Sequence, residues 1–568
     1  MRSRFRTLTI ATLSVSALTL AACGSGGGSS DSTSGGSAGS GAIDAHSVSA
    51  SGDYNIQERD ALQDGGTLIL PLTELSQQQN TWQADGNLYT KNVWKWYNPQ
   101  VSLFDGDGTW HANPDYLTDV KDEVVDGNTV ITYTIHPDAT FNDGTPIDWT
   151  TFEHTWKFSN GENKELNVSS TDGYELIKSV TRGENDKQAV VTYDGSYAWW
   201  QGLFGFLLHN AVNTPELYNT GYLGQVRPEW GAGPYKVENV NFNTGEISFV
   251  QNEKWWGDTG KLDKVTYRQM EDQASLNALR AGEIDASAVA SKDRLATAKE
   301  MGDKLDIRTA LLPANYLMTV NSKSPMLEDI KVREAIMTAV DREQLAAIRF
   351  NGLDYTEDLP GSFALFQTQE GYENNFGEVL SFDADRAKTL LEEAGWTEGA
   401  NGIREKDGQP LTLRYVITGE SPMVQATAGA IQAMLKNVGV DVQIQERPSS
   451  EFSQVTSQRD FDIFLMGFRS GDPFGVAYFG QVYLSDSELN LSGTGTPELD
   501  TKIRELQRIS DPDEQIARAN VLEQEAMGTF GIMPYANGPE IIAVKPGLAN
   551  YGAFSFAEIP VEDIGWEK

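Results

Sequence analysis

Residues 230–286 carry the clearest indications of the fold, and their sequence is WGAGPYKVENVNFNTGEISFVQNEKWWGDTGKLDKVTYRQMEDQASLNALRAGEIDA. It opens with a Gly-Ala-Gly-Pro turn and then holds three segments that are typical of strands. In the first segment the apolar residues before Glu238 and those after it fall on opposite faces of the predicted strand. This indicates either a bulge near Glu238 or a strand covered on both faces. A helix follows over residues 274–281, and Gly282 stands where a helix usually ends in the left-handed conformation. The stretch therefore predicts a small sheet followed by a helix.

Four segments of this stretch, in order, resemble the peptide and nickel family (family 5) of ABC-transporter solute-binding proteins. The segments are GAGPYKV, QNEKWWG, LDKVTYR and ALRAGEIDA. The resemblance implies a two-lobed α/β fold of the periplasmic-binding-protein type, in its type II class and large peptide-binding subclass, with an accessory subdomain in the first lobe. It also implies an extracytoplasmic component of an ABC importer, which captures peptides between the lobes and delivers them to the permease and ATPase subunits.

The composition predicts a globular protein of two or three packed units. The chain has 568 residues, 39% of them hydrophobic, and is too long for one ordinary core. Its formal net charge of -37 repels phosphate backbones and anionic lipid headgroups, so nucleic acid is excluded as a partner. Two interpretations of the acidity stay open: it serves solubility, or it concentrates cationic or zwitterionic ligands.

The first 22 residues have the pattern of an export signal peptide. Three arginines precede an apolar run over residues 8–20, which is too short to span a membrane. The sequence LAAC, residues 20–23, resembles the bacterial lipobox, and the resemblance implies cleavage before a lipid-modified Cys23. Cys23 is the only cysteine in the chain, so no disulfide can form within one chain.

A flexible linker is expected over residues 23–64. Residues 24–41 hold eight Gly and seven Ser, a composition that cannot bury apolar surface. A coil of about 40 residues has an end-to-end distance of roughly 35 Å. We therefore expect a monomer that is lipid-anchored at the outer face of the bacterial cytoplasmic membrane and can reorient above it.

The resemblance further implies the domain boundaries. We expect the first lobe over residues 65–313, with its accessory subdomain at about 110–228. The second lobe should occupy residues 314–533, and residues 534–568 should return to the first lobe. Two crossings between the lobes would then form a hinge.

The strand FDIFLMGF, residues 461–468, leads to the expected ligand site. Its nearly continuous apolar run predicts a central strand with both faces covered. Ligands of open α/β sheets bind beyond the carboxyl ends of strands, so the loop RSGDPFG, residues 469–475, should contact the ligand.

Three residues at this strand end are candidate ligand contacts. Asp472 matches the acid that holds the amino terminus of the peptide in peptide-binding relatives, although an Asp before Pro473 is also a turn former. Phe468 is expected to pack on the ligand. Arg469 either meets the ligand carboxylate or is solvated.

Glu74 is a second candidate for the ligand amine. It follows the first predicted strand, residues 67–72, and the resemblance implies that this strand end borders the cleft. The alternative is a solvated acid in a loop.

The sequence favours a binding protein over an enzyme, with no cofactor and no metal. It contains no GxSxG, HExxH or P-loop string, and its five His do not lie at metal-ligand spacing. An oligosaccharide-binding protein of the same family is the alternative. A secreted hydrolase with paired carboxylates is a further alternative.

Overall fold

Separate β-sheets organise the two lobes of this mixed α/β protein. The computed structural model describes residues 43–44, 48, 52–399, 401–419, 421–448, 451–487 and 489–568. The expected signal peptide 1–22, Cys23 and most of the expected linker 23–64 lie outside the described residues.

The first lobe is built on a four-stranded sheet that contains the decisive stretch. In order, its strands are Thr67–Leu72, Lys264–Gln269, Glu246–Gln251 and Tyr235–Asn241; the first pair is parallel and the others are antiparallel. The register shifts so that Ser248 pairs with Asn239 and Phe249 with Val237, which leaves Glu238 as the extra residue of a bulge. The bulge interpretation is therefore confirmed.

The helix predicted after this sheet is confirmed and spans Asp272–Ala281. Gly282 ends it with φ 78°, a conformation in which a side chain would be disfavoured. Its amide N–H bonds back to the carbonyls of Ala278 and Leu279.

An accessory antiparallel sheet lies within the first part of the chain. Its strands, in order, are Leu117–Val125, Asn128–Ile135, Gln188–Tyr193 and Ile177–Arg182. Burial alternates strictly along Asn128–Ile135, as the polar and apolar alternation predicts. The helix Trp149–Lys157 covers this sheet and begins at Asp148, whose carboxylate accepts from the Thr150 N–H.

The second lobe is built on a five-stranded sheet. The order is Asp441–Arg447, Thr412–Thr418, Ile463–Arg469, Ala314–Val320 and Ile532–Ala536. The strand predicted to be central, now bounded as Ile463–Arg469, is the third of the five. The prediction that both faces of this strand are covered is wrong for residues 465–469, which are partly or fully exposed. Phe468 and Arg469, at the end of the strand, line a cavity.

Two short connections join the lobes. A three-stranded antiparallel sheet of Ala286–Ala288, Pro539–Val544 and Asp306–Leu311 lies beside the first-lobe sheet. Asp306–Leu311 continues directly into Ala314–Val320, and Ile532–Ala536 returns directly into Pro539–Val544. The last strand of the five-stranded sheet, Ile532–Ala536, includes Pro534, where the return to the first lobe was expected to begin.

The C-terminal segment packs against residues 53–67. Single bridges pair Asp53 with Ala553 and Leu62 with Glu567. The Trp566 indole N–H donates to the Thr67 carbonyl at 3.2 Å, at the start of the first-lobe sheet. The beginning and the end of the described chain are therefore packed together.

The remaining elements are short or peripheral. Small sheets pair Ile43–Asp44 with Tyr355–Thr356, Ser102–Phe104 with Trp110–Ala112, Leu548–Ala549 with Gly565–Trp566, and Thr397–Glu398, Arg404–Lys406 and Gln409–Pro410 with one another. The other α-helices are Leu88–Tyr97, Pro215–Thr220, Lys292–Glu300, Ile330–Thr338, Arg342–Arg349, Asn375–Val379, Ala384–Glu393, Pro422–Asn437, Phe452–Gln458, Phe479–Tyr483, Pro497–Leu506 and Pro512–Met527. Within the part of the chain that the structure describes, no helix combines the length and the apolar character needed to cross a membrane.

Candidate functional site

A cavity of about 390 Å³ lies between the two lobes. The first lobe and its accessory sheet contribute a wall that includes Trp82, Lys91, Asp172, Gln201 and Glu558. The second lobe contributes the opposite wall, which includes Phe363, Phe468, Arg469, Asp472 and Tyr478. This volume falls at the lower end of the range of about 300–1,000 Å³ that is usual for small-ligand sites.

Contacts across the cavity hold the lobes in a closed arrangement. Gln481 Nε2 of the second lobe donates to Asp172 Oδ2 at 2.6 Å. Phe474 packs against Phe104 and Trp199 of the first lobe, with ring centroids 5.9 and 5.7 Å away. A ligand in this cavity would contact both lobes.

Asp472 lines the cavity from the loop that follows the central strand. Its half-buried carboxylate accepts from the Tyr478 hydroxyl at 2.6 Å and from the Phe474 N–H at 2.9 Å. Burial raises the pKa of this carboxyl and outweighs the two hydrogen bonds and the nearby Lys91, which lower it; Asp172 adds a smaller upward shift. The bond to the Phe474 N–H also forms the turn around Pro473, as the turn interpretation of Asp472 expects. Its contact with a ligand amine stays a prediction.

Phe468 and Arg469 also line the cavity. The Phe468 ring meets Phe363 edge-on at 5.4 Å, which leaves an aromatic surface toward the cavity. Arg469 is not simply solvated, because its guanidinium forms an ion pair at 3.1 Å with Glu540 on the connecting strand Pro539–Val544. A ligand carboxylate would therefore share Arg469 with Glu540.

A second ion pair stands on the first-lobe wall. Lys91 Nζ lies 3.1 Å from Glu558 Oε1 and donates to the Gly471 carbonyl at 3.4 Å across the cavity. Burial would raise the pKa of Glu558, but Lys91 and Lys95 together hold it below its ordinary value. Glu558 thus remains the anionic partner of Lys91.

The comparison with known families agrees with this architecture. The family model "Bacterial extracellular solute-binding proteins, family 5 Middle" matches residues 111–489, more than half of the chain. The chain belongs to this family.

This solute-binding protein is similar over almost its whole length to a named relative. It is 32% identical over 529 residues to the oligopeptide-binding protein OppA of Mycobacterium bovis, and the match covers 92% of this chain and 88% of the relative.

Two solved structures share the fold of this solute-binding protein. The periplasmic EDTA-binding protein EppA matches with a TM-score of 0.83 at 24% identity, covering 91% of this chain and 98% of that one. The oligopeptide-binding protein AppA of Bacillus subtilis, in complex with a nonapeptide, matches with a TM-score of 0.72 at 19% identity, covering 89% and 100%. The expected two-lobed fold is thereby confirmed.

The structure of the solute-binding protein adds Asp172, a cavity residue that the sequence did not single out. It lies before the 3-10 helix Tyr174–Leu176, where Gly173 adopts φ 73°. Its Oδ2 accepts from the Ser170 hydroxyl and from Gln481, both at 2.6 Å. The local sequence Ser-Thr-Asp-Gly is typical of a turn, and nothing in it signals contact with the other lobe.

Two further polar atoms at the cavity lack a partner within the described chain. Gln201 is 7% exposed and its side-chain oxygen is buried without a hydrogen bond. The indole N–H of Trp82 is likewise buried and unpaired. Since unpaired buried polar groups are costly, a ligand that supplied their partners would gain affinity.

Glu74 lies apart from the other predicted site residues. It is exposed, it is absent from the cavity walls, and its carboxylate accepts from Asn87 Nδ2 at 3.5 Å. Asn87 is the N-cap of the helix Leu88–Tyr97, so Glu74 faces a helix start. Among the described residues, no group of three or more His, Cys, Asp or Glu is placed to hold a metal ion.

Proposed function

We propose that this chain is the extracytoplasmic solute-binding component of an ABC importer, capturing peptides in the interlobe cavity and delivering them to the permease. The observation that carries this proposal is the interlobe cavity, in which the Asp472 carboxylate has hydrogen-bond donors but no ion-pair partner among the described residues. The 32% identity to an oligopeptide-binding protein supports peptides as the ligand class. The protein acts as a binder and catalyses no reaction.

The proposed contacts follow from the cavity walls. The peptide ammonium bonds to Asp472, because an ammonium removed from water needs a carboxylate partner. Phe468 packs on the peptide, and the peptide carboxylate shares Arg469 with Glu540. Glu74 has no contact in this arrangement.

The proposed movement uses the two short connections. Residues 65–313 with 534–568 would move as one lobe and residues 314–533 as the other, and the accessory subdomain, about 110–228, would stay with the first. Opening separates Gln481 from Asp172 and exposes the cavity. Small-angle scattering should show a smaller radius of gyration with peptide than without; an unchanged radius contradicts this movement.

One experiment tests the ligand class. Protein purified from a bacterial expression host should release peptides on denaturation, identified by mass spectrometry, and the stripped protein should bind a matching synthetic peptide in calorimetry. Released oligosaccharides with no peptide would favour the carbohydrate alternative, to which the aromatic walls are also suited. Cleavage of the added peptide, followed by chromatography, would contradict a pure binding role.

We also propose that the mature chain is a monomeric lipoprotein at the outer face of the cytoplasmic membrane. The support is the sequence: a signal peptide over residues 1–22, Cys23 in LAAC, and a Gly/Ser linker within residues 23–64. Cys23→Ser should move the protein from the membrane fraction to the soluble fraction, since the linker offers no other apolar anchor. Retention in the membrane pellet would instead indicate that residues 8–20 act as an uncleaved anchor.

A further inference from the structure

One short helical segment holds two carboxylates that come from opposite walls of the cavity. The 3-10 turn Gly475–Tyr478 continues into the helix Phe479–Tyr483. Tyr478 donates to Asp472 and Gln481 donates to Asp172, in both cases at 2.6 Å. Side chains three residues apart on a helix are neighbours, so closing the lobes places the two carboxylates side by side.

These two acids differ from the other charged side chains of the cavity. Lys91 is paired with Glu558 and Arg469 with Glu540. In the described part of the chain, no ion pair joins a cation to Asp172 or Asp472; only neutral donors reach them. Lys91 is close enough to lower the pKa of Asp472, but it is already paired with Glu558. Closure therefore leaves two carboxylates without an ion-pair partner at this end of the cavity.

Gln201 is an independent sign of a ligand at the same end. It is buried, lines the cavity, and its side-chain oxygen has no partner among the described residues. It precedes Gly202, where an added Cβ would lie 3.7 Å from Asp472 Oδ2 and 3.4 Å from the Tyr478 hydroxyl. Gln201 and Asp472 line the same cavity, and the unpaired Gln201 oxygen can accept an N–H from a ligand there.

We infer that the preferred peptides begin with a basic residue, whose α-ammonium binds Asp472 and whose side-chain cation binds Asp172. This inference rests on the proposed peptide-binding function and specifies the first residue of the peptide. The flexible four-carbon stem of lysine lets its ammonium reach a neighbouring carboxylate. Because Asp172 belongs to the first-lobe wall and Asp472 to the second, such a peptide bridges both walls and stabilises the closed form.

Calorimetry with a matched pair of peptides tests the inference. Lys-Ala-Ala and norleucine-Ala-Ala have first side chains of similar length, but only lysine carries the second positive charge. The lysine peptide should bind about 10- to 100-fold more tightly, as expected for one charged hydrogen bond. Asp172→Asn should abolish this preference with little effect on the norleucine peptide, whereas Asp472→Asn should weaken both peptides.

Asp194→Asn provides the matched control, because Asp194 is an exposed acid next to the accessory sheet and lies outside the cavity walls. It should leave both affinities unchanged, and thermal melts should show that all three variants fold.

Equal affinity of the two peptides for the parent protein, or a preference that survives Asp172→Asn, overturns the inference while leaving peptide binding intact. A preference that disappears when EDTA removes divalent ions also overturns it, since a metal would then hold the acids. Failure of both peptides to bind at any concentration contradicts the proposed function itself.

Discussion

Asp472→Asn separates the charge of the cavity carboxylate from its shape. The substitution keeps an oxygen that can accept from the Phe474 N–H, which forms the turn before the helical segment. It removes the negative charge that would face a peptide ammonium. The local fold should therefore persist while the charged contact is lost.

The magnitude follows from the partial burial of Asp472. One hydrogen bond to a charged group contributes about 1.5–3 kcal/mol, and an ion left unpaired in a fully buried site costs about 3–5 kcal/mol. Because Asp472 is only half-buried, the loss should be about 2–3 kcal/mol, or roughly 30- to 150-fold in Kd. Calorimetry with a peptide known to bind the parent protein measures this loss directly.

The pH dependence provides an independent check on the same residue. Burial raises the pKa of Asp472 in the folded protein without ligand. The contribution of the Asp472 carboxyl to the free energy of unfolding is therefore fully present below the unfolded-state pKa of about 3.9. It is lost as the pH rises through the raised pKa of the folded state. Peptide affinity should change in the opposite direction, rising with pH as the carboxylate ionises, and Asp472→Asn should remove both dependences.

Glu505→Gln is the control, because Glu505 is an exposed second-lobe residue that does not line the cavity. Its Kd and its melting temperature should match those of the parent protein. Equal peptide affinity for Asp472→Asn and the parent protein would refute the assignment of this loop to the peptide ammonium.

Further predictions concern stability, closure and detection of the ligand. Glu523 is 1% exposed, and Glu523→Ala should lower the free energy of unfolding by at least about 3 kcal/mol in urea titrations, because it leaves several donors unpaired. Those donors are Phe363 N–H, Ala364 N–H, the Tyr483 hydroxyl and Asn375 Nδ2; a loss under 1 kcal/mol would contradict the described network. Gly202→Leu should hold the lobes apart, because an added Cβ alone would lie 3.2 Å from the Phe474 ring. We expect weaker peptide binding and an unchanged melting temperature. Unaltered affinity would argue against closure at this point. Trp82→Phe should reduce the peptide-induced change in tryptophan fluorescence, because the unpaired Trp82 indole lines the cavity, and an undiminished change would place the signal elsewhere.

Local sequence patterns were sufficient for the elements of residues 230–286. Strand alternation, the parity change at Glu238 and the terminal Gly282 each depend on a few neighbouring residues, and each appears in the structure as predicted. Phe468, Arg469 and Asp472 could be placed together for a similar reason, since one strand end carries all three.

The parts of the site that escaped sequence reasoning depend on packing between distant segments. Asp172 reaches the cavity only because the accessory sheet packs against the second lobe, where Gln481 binds it. The partner of Arg469 is Glu540, which lies 71 residues further along the chain on a connecting strand. Glu74 lies close to the first-lobe strands, but its contact with Asn87 could not be inferred from the strand pattern.

The pairing of the C-terminal segment with the start of the first lobe constrains the order of folding. Asn55 Nδ2 donates to the Leu548 carbonyl, a contact between residues 493 positions apart. Closing a loop of that length instead of one of about 20 residues costs roughly 3 kcal/mol more in chain entropy, and contacts so distant in sequence slow folding. The second lobe has all its strands once Ala536 has been synthesised, whereas the first lobe must wait for the last residues. A chain synthesised from its amino terminus would therefore hold an unfinished first lobe until synthesis is nearly complete.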